Sequence, residues 1–145
     1  MPLNFSKNTG ELFVELKEEK NLKNYLNRNQ EEFVKPLHEY LQDLLKQKHL
    51  IKQEVVEKSK LDRTYAYHIF SGNRKNPSRP KLLALSIAMN LNLEETQYLL
   101  RYANQGLLYP RNQWDSVIIS AINQKLDVIQ TNELLHQLGE KLLLD

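Results

Sequence analysis

The chain has 145 residues, of which 41% are hydrophobic and 26% charged, with a formal net charge of +2 at pH 7. This length is enough for one well-buried domain with an appendage. The absence of cysteine excludes disulfides, thiolate metal ligands and cysteine nucleophiles, and it is compatible with a reducing cytoplasm. The sequence shows neither a secretion signal nor an apolar run of membrane-spanning length, so we expect a cytoplasmic protein with no membrane partner.

Charge is distributed unevenly along the chain. Residues 1–45 contain six Lys or Arg and eight Asp or Glu, residues 46–81 contain ten and three, and residues 82–145 contain four and seven. The three segments therefore carry formal charges of −2, +7 and −3. A basic centre of this kind is typical of surfaces that bind polyphosphate, although a solvated lysine-rich helix face gives the same count.

In the first third of the chain, apolar spacing predicts two helices. Residues 11–26 carry apolar side chains at helical intervals after the start signal Asn8-Thr9-Gly10, which indicates one first helix. A second apolar stripe predicts a helix from about Pro36 to Lys48, with Pro36 in its first turn and residues 29–34 as its lead-in.

Two short helices are predicted next, separated only by residues 60–62. The first has Ile51, Val55 and Val56 on one side. The second begins after Asp62 as its N-cap, ends at Gly72, and is followed by the basic loop 73–80. On a helical wheel its buried arc contains Ala66, Ile69 and Phe70, and its opposite side presents the hydrogen-bonding side chains of Thr64, His68 and Ser71. Tyr67 lies between the two sides, about 100° from Ala66, and Arg63 lies about 60° from Ala66.

Two further helices complete the middle of the chain. Ser78 is the expected N-cap of a fourth helix, with Pro80 in its first turn, and its apolar sequence predicts a central, buried position. Asn92 and Glu95 predict a capping box at the start of a fifth helix, which Gly106 would end. Residues 37–103 therefore predict a compact, all-α domain of five helices.

The C-terminal third predicts two more helices, one over residues 113–123 and one that begins at Thr131 and carries the stripe Leu134, Leu135 and Leu138. The three leucines at 142–144 either cover the core or form a partner surface, and Trp114 suits either contact. The predicted organisation is an N-terminal helical extension at 1–34, a five-helix domain at 35–105 and a C-terminal helical extension at 106–145.

The middle of the chain resembles a known family. The pattern Gln53-Glu54-Val55-Val56-Glu57, then Ser59-Lys60-Leu61-Asp62, and later Gly72 and Pro77, is similar to the helix-turn-helix of lambda-repressor-like proteins, also called the xenobiotic-response-element family. The resemblance covers about half of the chain. It departs at Glu57, where the family usually has a small alanine, and at Lys60, where the family has a turn glycine.

The resemblance implies a bacterial or mobile-element transcriptional regulator that binds double-stranded DNA as a dimer and acts by occupying an operator. It implies base-reading roles for Arg63, Thr64, Tyr67 and His68. It implies phosphate-binding roles for Lys52, Gln53, Arg74, Lys75 and Arg79. These residue types suit the roles, because arginine pairs with guanine O6 and N7, and cations near helix N-termini attract phosphate.

Other functional classes find less support in the sequence. There is no nucleophile with a base, no glycine-rich phosphate loop and no placed carboxylate pair, so we expect neither enzymatic activity nor a cofactor. Metal-ligand spacing is absent from the four histidines, His38, His49, His68 and His136, so no metal site is expected. The alternative that stays open is a helix-turn-helix scaffold redirected to a protein partner, as an adaptor or antitoxin-like module, with Tyr65, Tyr67 and Phe70 as its contact residues.

Overall fold

The computed structural model describes residues 7–145, and within this range it contains nine α-helices and no strand. The all-α prediction is confirmed for this part of the chain. The helices are α1 Thr9–Glu18, α2 Leu22–Arg28, α3 Leu37–Gln47, α4 Lys52–Ser59, α5 Arg63–Ser71, α6 Arg79–Ala88, α7 Leu93–Tyr102, α8 Gln113–Asn123 and α9 Val128–Gln137. Backbone contacts divide the chain into two units, Met1–Lys35 and Pro36–Asp145. The first six residues of the predicted N-terminal extension lie outside the described residues.

The first unit contains two short helices where the sequence predicted one. The reason is Asn21, whose side chain accepts a hydrogen bond from Lys23 N at 3.0 Å and so begins α2 as a new helix. Polar side chains join the two helices: Asn29 Nδ2 donates to Glu15 at 2.8 Å, and Arg28 pairs with Glu19 at 2.9 Å. Hydrogen bonding from Lys7 also lowers the pKa of Glu15.

The second unit is organised around α6. Every residue from Leu82 to Ala88 is buried, because this helix packs against α4, α7 and α9. Its N-terminal turn contains Pro80, as predicted, but the side chain of its N-cap Ser78 makes no capping hydrogen bond. The expected capping box at the start of α7 is confirmed, with Asn92 N donating to Glu95 at 2.9 Å and Glu95 N donating to Asn92 at 2.8 Å.

The C-terminal helices complete the core of this unit. Ile118 of α8 and Leu135 of α9 are fully buried in one cluster with Leu83 and Leu100. Leu143, in the terminal segment, belongs to the same cluster, and Asn132 holds its backbone by accepting from Leu143 N at 2.6 Å. The terminal segment is therefore part of the core that surrounds α6.

Three predicted features of the later helices are wrong. α7 ends before Asn104, which has a left-handed φ of 58°, and not at Gly106. α9 begins after Asp127, whose carboxylate accepts from Gln130 N at 2.8 Å, while the predicted cap Thr131 lies buried inside the helix. α9 ends at Gln137, so Leu138 is its C-cap, and its side chain is 58% exposed.

A stacked tyrosine pair joins α3 to α7. The rings of Tyr40 and Tyr102 are 4.0 Å apart and within 5° of parallel. The Tyr40 hydroxyl is buried and has no hydrogen-bond partner in the described part of the chain. Burial raises the pKa of Tyr40 well above its ordinary value and also raises the pKa of Tyr102.

Candidate nucleic-acid interface

Helix α5 is held from one side and exposed on the other. Asp62 caps it, accepting from Tyr65 N at 3.0 Å, as the sequence predicted. Ala66, Ile69 and Phe70 are between 0% and 1% exposed, so the whole predicted arc is buried. Because its buried side is fixed in the core, the position and orientation of α5 are fixed, and with them the direction in which its exposed side chains leave the helix.

The turn before α5 is short and tight. Lys60 has a left-handed φ of 61°, the conformation that a turn glycine would adopt without cost. Buried Ser59 supports the turn, because its hydroxyl donates to Val56 O at 2.7 Å and accepts from Leu61 N at 3.3 Å. α4 and α5 are therefore joined by a defined three-residue connection.

Gly72 ends α5 with φ 89°, as the sequence predicted. A Cβ at this position would come within 2.8 Å of the His38 ring, so a larger residue would force the His38 side chain to move. Nearby, Gln42 of α3 donates to Phe70 O at 3.0 Å. The end of α5 is thus joined to α3 by the hydrogen bond from Gln42.

The basic loop after α5 folds back onto the helix. Arg74 N donates to His68 O at 3.0 Å, which keeps the loop beside the exposed face of α5. The Arg74 guanidinium lies 4.8 Å from the centre of the Tyr65 ring, and the Lys81 ammonium lies 4.1 Å from the same ring. Tyr65 therefore holds two cations together by cation–π attraction.

The residues predicted to read bases keep accessible surface on α5. Arg63, Thr64 and His68 are exposed, and Tyr67 is half-buried. Among those predicted to bind phosphate, Arg74 and Lys75 are exposed in the loop and Gln53 is exposed in the first turn of α4. Lys52 is half-buried, with its ammonium 5.8 Å from the centre of the Phe70 ring.

Arg79 has a different position from the other predicted phosphate-binding residues, and a phosphate role for it conflicts with its contacts. Its guanidinium makes a bidentate pair with Asp115, both distances being 2.9 Å. It also donates to Gly106 O at 2.8 Å and to Leu107 O at 3.0 Å, and lies 5.9 Å from the Trp114 ring. Because these contacts occupy its donors, Arg79 binds the segment after α7 and has little capacity left for an external anion.

Apart from Arg79, the charged side chains of residues 60–81 are mostly basic. Lys60, Arg63, Arg74, Lys75 and Lys81 lie within residues 60–81, and the acidic residue in that range, Asp62, caps α5. In the described part of the chain, Arg63 and Lys75 make no salt bridge with an acidic side chain. Unpaired cations of this density attract polyanions over a Debye length of about 10 Å.

Sequence reasoning missed Lys81 as a member of this surface. Its cation–π contact with Tyr65 brings it beside Arg74, although it belongs to α6. The available signal was its place in the first turn of α6, directly after the basic loop, where an exposed side chain is expected. Nothing in the spacing of the residues indicated that Tyr65 joins the two cations.

Residues 7–145 contain no candidate metal site and no candidate membrane span. Within residues 7–145, no three histidine or acidic side chains are grouped so that they could hold a metal ion. No helix in that range is long and apolar enough to cross a bilayer. No protein-family model, curated protein or solved structure was found to match the chain.

Proposed function

We propose that the protein is a sequence-specific regulator of transcription that binds double-stranded DNA through α4, α5 and the loop after α5. The observation that carries the proposal is the exposed side of α5, where Thr64 and His68 lie opposite a fully buried anchor and Arg63 is exposed at the N-terminus of the helix. A helix of this kind fits the major groove of B-DNA, where side chains with hydrogen-bonding capacity distinguish base pairs.

The arrangement of α4 and α5 supports assignment to the lambda-repressor-like helix-turn-helix class. Two short helices, a three-residue turn with a left-handed residue and a glycine at the end of the second helix correspond to the pattern of that family. We expect two copies of the chain to occupy paired half-sites, since such domains act as dimers on sites with two-fold symmetry. The regulator would act in the cytoplasm of a bacterium by covering its operator, without catalysis or a cofactor.

The proposed contacts fall into two groups. The base-reading group is Arg63, Thr64, Tyr67 and His68. The phosphate-binding group is Lys52, Gln53, Arg74 and Lys75, to which we add Lys81 because it lies against the same tyrosine as Arg74. Arg79 is left out because its guanidinium is bound to Asp115 and to two backbone carbonyls.

Selection from a random duplex library tests the proposal directly. We expect the purified chain to enrich one site with approximate two-fold symmetry. Each neutralised phosphate contributes about −0.9 to the slope of log affinity against log salt, so the four cationic phosphate contacts of each copy predict a steep slope. Absence of an enriched site, together with weak and salt-tolerant binding to all duplexes, would overturn it.

Two substitutions separate the base-reading group from the phosphate-binding group. We expect Arg63→Ala to cost about 1–3 kcal/mol on the selected site and less on random DNA, because a base contact is lost. Arg74→Ala should weaken binding to both DNAs by a similar factor and reduce the salt slope by about 1. Arg111→Ala, which removes an exposed arginine elsewhere, is the matched control and should leave both affinities unchanged.

The alternative of a protein-binding module finds less support in the side-chain positions. Phe70 is only 1% exposed and is not available to a partner. Tyr65 is half-buried and contacts Arg74 and Lys81. Tyr67 is half-buried, and one half-buried ring is a small anchor for an interface.

A further inference from the structure

A groove of about 390 Å³ lies where the ends of α4 and α6 meet the turn from α8 to α9. Its volume is at the lower end of the range for small-molecule sites in proteins. The lining residues are Lys58, Lys60, Ile87, Ala88, Asn90, Lys125, Leu126, Asp127, Val128 and Ile129. None of the residues proposed to contact DNA is among them.

The groove combines apolar surface with excess positive charge. Ile87 and Val128 are largely buried and form part of its wall, and Ile129 is 51% exposed beside them. Lys58, Lys60 and Lys125 are exposed, and in residues 7–145 none of the three makes a salt bridge. The acidic lining residue, Asp127, already accepts a hydrogen bond from Gln130 N.

Two of these lysines occupy strained backbone positions. Lys60 has φ 61° and Lys125 has φ 57°, in the left-handed region that is unfavourable for a residue with a Cβ. Asn90, at φ 55° in the same groove, is the residue type that usually accepts this conformation. A lysine side chain near a helix C-terminus is attracted to the negative end of the helix dipole. Lys58, in the last turn of α4, makes this interaction from an ordinary helical position, so the interaction does not explain why lysine occupies the left-handed positions.

We propose that this groove is a binding site for a small amphipathic organic anion. The carboxylate of the ligand pairs with the ammonium groups of Lys60 and Lys125, and its apolar body lies on Ile87, Val128 and Ile129. Ammonium groups without an acidic partner beside an apolar wall are the features that fit such a ligand. The proposal does not depend on DNA binding, and it is tested in the absence of DNA.

Titration of the full chain with octanoate, followed by ¹⁵N–¹H NMR, is the experiment. We expect saturable shifts at Lys60, Lys125 and Val128, with a dissociation constant of about 1 mM or lower. 1-Octanol, which has the same chain length without the charge, should bind at least about tenfold more weakly. Inorganic phosphate, which has charge without an apolar body, should bind equally weakly.

The double variant Lys60→Asn/Lys125→Asn removes both charges while keeping a residue type that accepts the left-handed backbone. We expect its midpoint of urea unfolding to stay at or above that of the native chain, and its affinity for octanoate to fall at least about tenfold. Lys20→Asn/Lys141→Asn, two exposed lysines outside the groove, is the control that should keep full affinity. Shifts located elsewhere, unchanged affinity in the groove variant, or equal binding of octanol or phosphate would overturn the proposal.

Discussion

Replacing Arg79 tests whether this arginine stabilises the fold or binds DNA. Asp115 has only 8% of its side chain exposed, and Arg79→Ala leaves its carboxylate without a countercharge. Breaking a buried ion pair by removing one partner costs about 3–5 kcal/mol. Because the Arg79 side chain is itself 23% exposed, and because Tyr109 N still donates to Asp115, we expect the low end, about 3 kcal/mol.

Urea unfolding followed by the fluorescence of Trp114, the single tryptophan of the chain, measures this loss in the unit that contains the pair. Adding Asp115→Asn to the Arg79→Ala variant should recover about 1–2 kcal/mol, because the buried charge is removed while an acceptor for Tyr109 N remains. Arg111→Ala should stay within about 0.5 kcal/mol of the native chain. An Arg79→Ala variant of native stability that has lost DNA affinity would refute the reasoning and restore Arg79 to the phosphate-binding group.

Three further substitutions test the fold around the candidate interface. Tyr40→Phe removes a buried hydroxyl without a partner and should raise the free energy of unfolding by about 1 kcal/mol in urea titrations at neutral pH. Because burial raises the pKa of Tyr40 in the folded chain, the unfolded chain loses the Tyr40 proton first, and the native protein therefore loses stability as the pH rises above 10. The Tyr40→Phe variant lacks this loss, so its advantage should grow above pH 10; an equal loss in both proteins would contradict the raised pKa. Gly72→Ala should lower the melting temperature through its positive φ and its contact with His38, and His38→Ala in the same background should recover part of the loss; equal losses would remove the steric argument. Leu143→Ala should cost about 2–3 kcal/mol in urea unfolding, and a loss below about 1 kcal/mol would show that the terminal segment contributes little to the core.

Sequence reasoning succeeded where the structure is determined by neighbours in the chain. Asp62, Gly72 and the pair Asn92 and Glu95 act within one helical turn, and each has the predicted role. Local signals fail when two of them compete. Asp127 and Thr131 are both good N-caps four residues apart, and the capping box that Gln130 makes with Asp127 selects the earlier start.

Long-range contacts explain what the sequence did not reveal about the candidate interface. Arg79 and Asp115 are 36 residues apart, so a basic residue inside a basic loop gave no sign of its buried partner. The approach of His38 to Gly72 joins helices that the periodicity alone cannot orient. By contrast, the outward face of α5 followed from the 100° spacing of its residues once Ala66, Ile69 and Phe70 were taken as its anchor.

The position of Leu143 in the core has a consequence for synthesis on the ribosome. α4 and α5 emerge early, but the cluster around α6 that supports them receives its last apolar side chain only when residue 143 has left the exit tunnel. Until then Leu83, Leu100 and Leu135 lack one of their packing neighbours, and apolar surface stays open to chaperones or to other nascent chains. Newly made copies would therefore become fully stable only after translation of the core segment is finished, although the basic helices would already have been exposed to nucleic acid.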